Sequence, residues 1–338
     1  MTGSTVRCLE FFSGIGGLHH GVNIAGIGAE VVASFDVNEI ANKVYAHNFK
    51  KEPSKKTIDR LTTKDIERYQ ADCWLLSPPC QPYTQGGKMK DMDDPRAKPL
   101  LHLIKLLSTL DTKPTYLFLE NVKNFEISQS RKELVTQLSA LGYEINECLL
   151  SPLQFGIPNH RLRYYLTARL RPHTPAGNID DRTIHTTWPF EKEQAFDVPE
   201  LADFLEPLND DDHTFTVPSR YILRLHNFRL GIWIQSYHDQ WIITANEEIR
   251  DTASLLEFGL RFLTPTEIGR LHAFPMASDS PAPSQEEEAG VPRRFFAPTG
   301  LPHLCFPEGV TRQQQYRLLG NSLNCWVVAE LLRCVLFK

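Results

Sequence analysis

The sequence predicts an α/β fold: a mostly parallel sheet covered by helices, joined to a smaller second region. Three observations carry this. Residues 6–36 read as strand, Gly-rich turn, helix and strand; short apolar runs then alternate with helical stretches as far as Leu170; and after Arg171 the pattern turns polar, acidic and Pro-rich.

The first strand is expected over 6–12, followed by the glycines and an amphipathic segment through about Ala25, then the apolar run EVVASFD at 30–36. CWLLS at 73–77, TYLFLEN at 115–121 and RYYLTARL at 163–170 are the next strands, with helical stretches near 39–48, 99–110 and 129–141. Parallel strands require crossovers of this kind. Beyond Arg171 come HTPAGNIDD, an acidic tract and an aromatic segment holding Trp233, Tyr237 and Trp241. The stretch 276–303 has five prolines and the run Glu286, Glu287, Glu288, which reads as an exposed loop. The last segment regains a helical pattern after Asn321 and is expected to dock back on the first domain. The expected organisation is therefore a catalytic domain of 1–172 plus 306–338, a smaller target-recognition region over 173–275, and a Pro/Glu-rich insertion over 276–305.

The 338 residues, 41% hydrophobic and 23% charged, fit one large or two modest domains and exclude a disordered chain, a disulfide scaffold or a collagen-like fibre. Seven cysteines without regular short spacing suggest neither a disulfide framework nor a zinc site, and favour a reducing compartment. No run approaches the roughly 20 apolar residues that cross a bilayer, so membrane insertion and secretion are not expected. A cytoplasmic or nuclear location follows as the expectation. The net charge of −5 is largely local: nine acidic residues and one lysine between Glu191 and Asp212 sum to −8, leaving +3 on the rest. Nucleic acid is therefore not excluded as a partner.

Four clusters carry chemistry. FSGIGG, residues 12–17, lies between strand and helix, where its backbone can approach a ligand closely. It is neither GxGxxG nor a P-loop, yet Asp36 ends the second strand where a carboxylate can accept ribose hydroxyls. An ordinary strand-to-helix turn is an equal alternative. LLSPPCQPYT, 75–84, presents Cys80 on a loop constrained by Pro78 and Pro79, a candidate nucleophile that would need an electropositive environment; a structural cysteine is the alternative. Glu120 and Asn121 end another strand at the sheet edge where α/β active sites occur, as an acid and amide pair or as a simple strand-end turn. QFGIPNHRLR supplies Arg161 and Arg163 before a strand, suited to phosphate or base contacts or to a solvated basic edge; His160 carries little weight as a base.

Taken in order, FSGIGG, SPPCQPYT, ENV, NHRLR and YRLLGNSLN resemble the cytosine-C5 methyltransferase family. CWLLSPPCQPYT and LLSPLQFGIPNHRLRYYLTARL resemble most its tRNA-aspartate branch, over about 6–171, 258–275 and 306–334. The resemblance implies a class I S-adenosylmethionine-dependent methyltransferase fold, Rossmann-like, with S-adenosyl-L-methionine as cofactor and S-adenosyl-L-homocysteine as product. Phe11, Ser13, Gly14, Ile15, Gly16 and Gly17 would surround the cofactor, Asp36 would address its ribose, Asp59 would lie near its adenine, and Val37, Pro78, Asn321 and Ser322 would complete the site. Cys80 would attack cytosine C6, Glu120 would contact N3 and the exocyclic amine, Arg163 would hold the base and Arg161 would support the pocket. The implied substrate is cytosine 38 in the anticodon loop of tRNA-Asp, since an unpaired base is more easily displaced from its stack than a duplex base. DNA is the alternative substrate. No metal is implied, no membrane partner is expected, and a monomer is the expected state. Lys88, Lys90, Arg96 and Lys98 join the two arginines as candidate backbone contacts, with a solvated face as an equal alternative for the four at 88–98.

Two departures stand out. The region 215–255, where the family's tRNA-modifying branch carries a Cys-Phe-Thr hallmark, has no such tripeptide and no cysteine. The Pro-rich stretch 276–303 is inserted ahead of the final motif. A binding or regulatory protein on a methyltransferase scaffold is therefore a further alternative.

Overall fold

The computed structural model describes residues 5–83, 91–171, 183–188, 197–207, 213–218, 261–277 and 300–338. Lys88, Lys90, the aromatic segment with Trp233, Tyr237 and Trp241, most of the region expected to carry Cys-Phe-Thr and most of the Pro-rich stretch lie outside them.

The described strands are β1 (Val6–Phe11), β2 (Ala29–Phe35), β3 (Cys73–Leu76), β4 (Tyr116–Val122), β5 (Tyr143–Leu150), β6 (Arg163–Leu170) and β7 (Ile184–His185). They form a seven-stranded sheet in the order β2-β1-β3-β4-β6-β5-β7. β1 pairs in parallel with β2 and β3, and β3 with β4, whereas β6 runs antiparallel to β4 and β5. The helices are α1 (Gly17–Ala25), α2 (Glu39–Phe49), α3 (Thr63–Glu67), α4 (Lys98–Thr109), α5 (Gln129–Ala140), α6 (Pro265–Leu271), α7 (Arg312–Gly320) and α8 (Cys325–Leu331). Among the described residues no helix is long and apolar enough to cross a membrane.

Period-two apolar runs fill both faces of the sheet. Cys8, Cys73, Leu75 and Phe118 pack with α1 and α8 on one side; Leu9, Phe11, Trp74, Leu76 and Leu119 pack with α4 and α5 on the other. The terminal helix therefore completes the first layer, as its apolar pattern implied. Its approach to α1 is so close that a methyl group on Gly21 would sit 2.5 Å from Val328.

Several elements differ from the sequence reading, which placed nothing at α3, β7 or α6; three others are instructive. β1 stops at Phe11, because Phe12 turns to φ 58°. β5 was not expected, since YEINECLL interrupts its apolar run with glutamates; Glu147 is nevertheless 2% exposed, neutralised by a two-pronged Arg131 contact at 2.8 and 2.7 Å. α7 precedes the expected terminal helix; RQQQYRLLG buries only Leu318 and Leu319, and a Thr311–Gln314 capping box rather than an apolar stripe starts it.

The topology sets the position of the site. From β1 the chain crosses to β2 on one side and then to β3 on the other, which opens a crevice beyond the carboxyl ends of these strands. Because β6 is antiparallel, its first residue lands at that same edge: Arg163 is in register with Val122, the last residue of β4.

Candidate active site

On the β1–β2 side the crevice is lined by backbone. Gly14 takes φ 52° and its N–H donates to Asp36 Oδ2 at 2.8 Å, while Asn38 N–H donates to Asp36 Oδ1 at 2.8 Å. The Asp36 carboxylate thus braces the loop and keeps its remaining lone pairs for a ligand hydroxyl. Val37 next to it is 60% exposed, an apolar surface at the mouth of the crevice. Gly16 sits at φ 88°, and a Cβ there would meet Phe49 at 2.3 Å. A Cβ on Gly17 would meet Leu323 at 3.0 Å and Ser322 Oγ at 3.1 Å, which brings the returning carboxy-terminal motif against the loop.

Two residues in the expected cofactor set point elsewhere. The Phe11 ring is fully buried, stacked on Phe35 at 5.1 Å and edge-on to Trp74 at 5.1 Å, so it belongs to the core rather than to the loop's open face. Ile15 is likewise a core side chain and can offer only its backbone. Asp59 is exposed on a short turn, Ile58–Arg60, and Asn321 is exposed at the end of α7. Pro78 is buried at the end of β3, with its carbonyl accepting from Asn121 Nδ2 at 3.0 Å.

A nucleoside cofactor with a charged amino-acid tail fits this side. Ser13 is 5% exposed and its hydroxyl has no partner; Gly14 faces open space, with nothing within 4 Å of a would-be Cβ; and the braced carboxylate of Asp36 stands beside them. The orphaned hydroxyl and the glycine cradle are what a polar ligand lying on the loop would use.

On the β3–β4–β6 side the crevice is lined by charged side chains. Cys80 is half-buried in the turn that closes with Tyr83 N–H on the Cys80 carbonyl at 2.9 Å. Glu120 is 6% exposed; Ser77 Oγ donates to its Oε2 at 3.3 Å and Arg163 Nε lies 3.7 Å from its Oε1. Burial raises the Cys80 thiol above its ordinary range, Arg163 opposes that, and the Glu120 charge adds to it. Burial also raises Glu120, against the pull of Arg163, Arg161 and Ser77. A thiol and a carboxyl that both resist ionisation, each opposed by Arg163 and to a lesser extent by Arg161, form an acid and nucleophile pair tuned mainly by Arg163.

Arg161 has a different job from Arg163. Its Nη2 donates to the Gly320 and Ser322 carbonyls at 3.0 and 2.6 Å, tying the turn before β6 to the carboxy-terminal motif. Ser151, which sequence reasoning missed, closes that turn by accepting from Arg161 N–H at 3.1 Å and donating to the Asn159 carbonyl at 3.3 Å. Asn159 and Asn324 both donate to the Leu271 carbonyl, so α6 is knotted to the same junction. Ser77 was also missed, although its place in SPPC at the end of β3 was a usable signal. Among the basic residues near the crevice, Arg96 is taken up by Asp94 at 2.8 and 2.6 Å, and Lys98 is exposed at the start of α4. Among the described residues, no cluster of three or more His, Cys, Asp or Glu has the geometry to hold a metal ion.

The chain is similar to known proteins over nearly its whole length. Residues 6–335 match the family model described as C-5 cytosine-specific DNA methylase. A Bos taurus protein named tRNA (cytosine(38)-C(5))-methyltransferase is 33% identical over 97% of this chain and 98% of its own length. A Dictyostelium discoideum protein named DNA (cytosine-5)-methyltransferase is 30% identical over 97% of this chain and 93% of its own. The crystal structure of a mutant Spodoptera frugiperda DNMT2 superposes with a TM-score of 0.73 at 31% identity, covering 98% of this chain and all of that one, 100%.

Proposed function

The chain belongs to the C-5 cytosine-specific methylase family, and from that premise we propose that it methylates C5 of cytosine 38 in the anticodon loop of tRNA-Asp. Its fold is the class I S-adenosylmethionine-dependent one, and it acts as a cytosine-5 methyltransferase. The observation that carries the reading is the meeting of Cys80, Glu120 and Arg163 at the strand ends beside the glycine cradle. The RNA assignment is supported by full-length similarity to relatives named for cytosine 38 of tRNA.

S-adenosyl-L-methionine would supply an electrophilic methyl group on a sulfonium, and Ser13, Gly14, Asp36, Val37 and Ser322 would hold it. Arg163 lowers the cost of forming the Cys80 thiolate. The thiolate adds to C6 of the displaced cytosine, and the ring electrons move to C5. Glu120, buried and slow to ionise, delivers or shares a proton at N3 and accepts from the exocyclic amine, which offsets the charge developing in the ring. Transfer of the methyl group to C5 would leave S-adenosyl-L-homocysteine; solvent then takes the C5 proton, N3 returns its proton to Glu120, and the C6–S bond breaks to release the Cys80 thiolate. Arg161 acts one step back, holding the turn that aims Arg163. Recognition of the RNA falls to the region 173–275.

Purified protein with labelled cofactor, offered a tRNA-Asp transcript, the same transcript with uracil at position 38, and a cytosine-containing DNA duplex, tests the reading. Label is expected on the first alone. Label only on the DNA would overturn the RNA assignment, and label on none would favour a binding protein on this scaffold.

A further inference from the structure

The segment that follows Cys80 is fastened at both of its stems to the first turn of α5, a helix outside the crevice. On the outgoing stem, Tyr83 is 3% exposed, its ring edge-on to Phe125 at 4.9 Å, and its hydroxyl interacts with the Ser130 side chain. On the returning stem, Asp91 Oδ2 accepts Gln129 N–H at 2.5 Å, and Oδ1 accepts Ser130 N–H at 3.2 Å and Ser130 Oγ at 2.7 Å. Asp91 N–H closes the base of the segment on the Pro82 carbonyl at 3.3 Å. Ser130 is fully buried and is shared by the two stems.

The local chemistry is specific to these residue types. Asp91 stands at φ 48°, a left-handed conformation that Asp and Asn accept more readily than other side chains. From there its carboxylate reaches the free amides of the α5 amino terminus, where negative charge is favoured. Ser128 caps the same turn by accepting Arg131 N–H at 3.0 Å, so the anchor is itself fixed. Phe125 also packs on Tyr164, next to Arg163, at 5.2 Å. The anchor therefore shares a rigid stack with the strand that presents the arginine.

We propose that Asp91, Ser130 and Tyr83 act as one positioning clamp for the Cys80 thiol, holding the base of its loop at the distance from Glu120 and Arg163 that addition to C6 requires. None of the three touches the reacting atoms. Displacing a nucleophile by about 1 Å costs on the order of 10²-fold in rate, so the clamp acts on turnover rather than on binding. The proposal rests on the assignment of Cys80 as nucleophile.

Asp91→Gly keeps the left-handed backbone and removes the carboxylate, Asp91→Asn keeps one acceptor, and Ser130→Ala and Tyr83→Phe remove the linking hydroxyls. Single-turnover methylation is measured on whichever nucleic acid the wild-type protein methylates, at saturating cofactor. Asp91→Gly is expected to lower the rate about 10- to 100-fold, with nucleic-acid affinity within about twofold of wild type. Asp91→Asn should recover part of the loss, and the Asp91→Gly/Ser130→Ala pair should lose no more than the worse single variant. An unchanged rate, a loss mirrored in affinity, or strictly additive losses would each overturn the clamp. Alkylation of Cys80 by iodoacetamide, followed by peptide mass spectrometry, reads the thiol without any substrate. It should change in rate in Asp91→Gly and return toward wild type in Asp91→Asn, and an unaltered rate overturns the clamp even if no methylated substrate is found. Absence of methylation by wild type counts instead against the proposed function.

Discussion

The two sides of the crevice are made of different materials. Beside β1 and β2 it is peptide backbone, with two left-handed glycines, an orphaned serine hydroxyl and an aspartate that braces amides. Beside β3, β4 and β6 it is side-chain charge: a half-buried thiol, a buried carboxyl and a guanidinium 3.7 Å from it. The first side recognises by shape and fails by clash. The second works by desolvation and fails by loss of charge balance. Substitutions on one side should therefore separate cofactor binding from stability, and on the other separate chemistry from both.

The largest effect is expected on the charged side. Cys80→Ala should cut turnover by more than about 10³-fold while cofactor affinity, read by calorimetry, stays within about twofold of wild type. A parallel loss of cofactor binding would mean that the two sides are not separable. Glu120→Gln should cost about 10²- to 10⁴-fold in rate and should also lower the pH at which Cys80 ionises, because the carboxylate's repulsion is gone. Arg163→Gln should do the reverse, moving the thiol further up, because its charge is the main influence that lowers it. The pH dependence of Cys80 alkylation checks both signs, and shifts in the same direction would break the account of a shared arginine.

What could be read in advance divides along the same line. The parallel core was legible because Val6–Phe11, Ala29–Phe35 and Cys73–Leu76 are largely apolar runs, the first followed by the FSGIGG turn, the second set between Gly28 and Asp36 and the third preceded by Asp72, and both sheet faces bury them. β5 was not, because Glu147 becomes tolerable there only through Arg131 and Tyr164, partners distant in sequence. Cys80, Glu120 and Arg163 were legible as residue types at strand ends, and the fold adds that antiparallel β6 brings Arg163 to the carboxyl edge of β4. Phe11 was misplaced for the converse reason. Phe12 lies past the end of β1 and packs on the same cluster as Phe11, and nothing local says that the Phe11 ring closes on Phe35 and Trp74. The Arg161 contacts to Gly320 and Ser322 join segments some 160 residues apart, |i−j| 159 and 161, and no local pattern encodes them.

On the backbone side, Gly16 and Gly14 part company. Gly16→Ala forces a Cβ to within 2.3 Å of Phe49, which is itself stacked on His19 at 3.8 Å and has nowhere to yield. Clash and left-handed strain together should cost about 2–4 kcal/mol, seen as a lowered melting temperature before any ligand is added. Gly14→Ala meets open space and should cost only about 1 kcal/mol, yet its methyl group would occupy the cradle and weaken cofactor binding. Equal stability losses in the two variants would show that the cradle is strained throughout rather than shaped at Gly16.

A pH-dependent effect tests what lies beneath that backbone. Glu10 on β1 is fully buried; Tyr45 Oη donates to its Oε2 at 2.9 Å and His19 N–H to its Oε1 at 3.2 Å. Burial, only partly offset by those hydrogen bonds, raises its pKa from 4.5 to about 8. The folded protein therefore keeps a proton that the unfolded chain releases above pH 4.5, and stability from this group falls as pH rises from about 4.5 to about 8. His19 and His20, held neutral by burial with values lowered to about 3, impose the opposite trend up to their ordinary 6.5. Glu10→Gln matches the protonated carboxyl in shape and leaves both histidines in place, so subtracting its stability curve from that of wild type isolates Glu10. The difference should be smallest below about pH 4.5 and grow against wild type toward pH 8. A flat difference would mean that Glu10 is ionised at neutral pH, and that the backbone side, like the other, stands on charge.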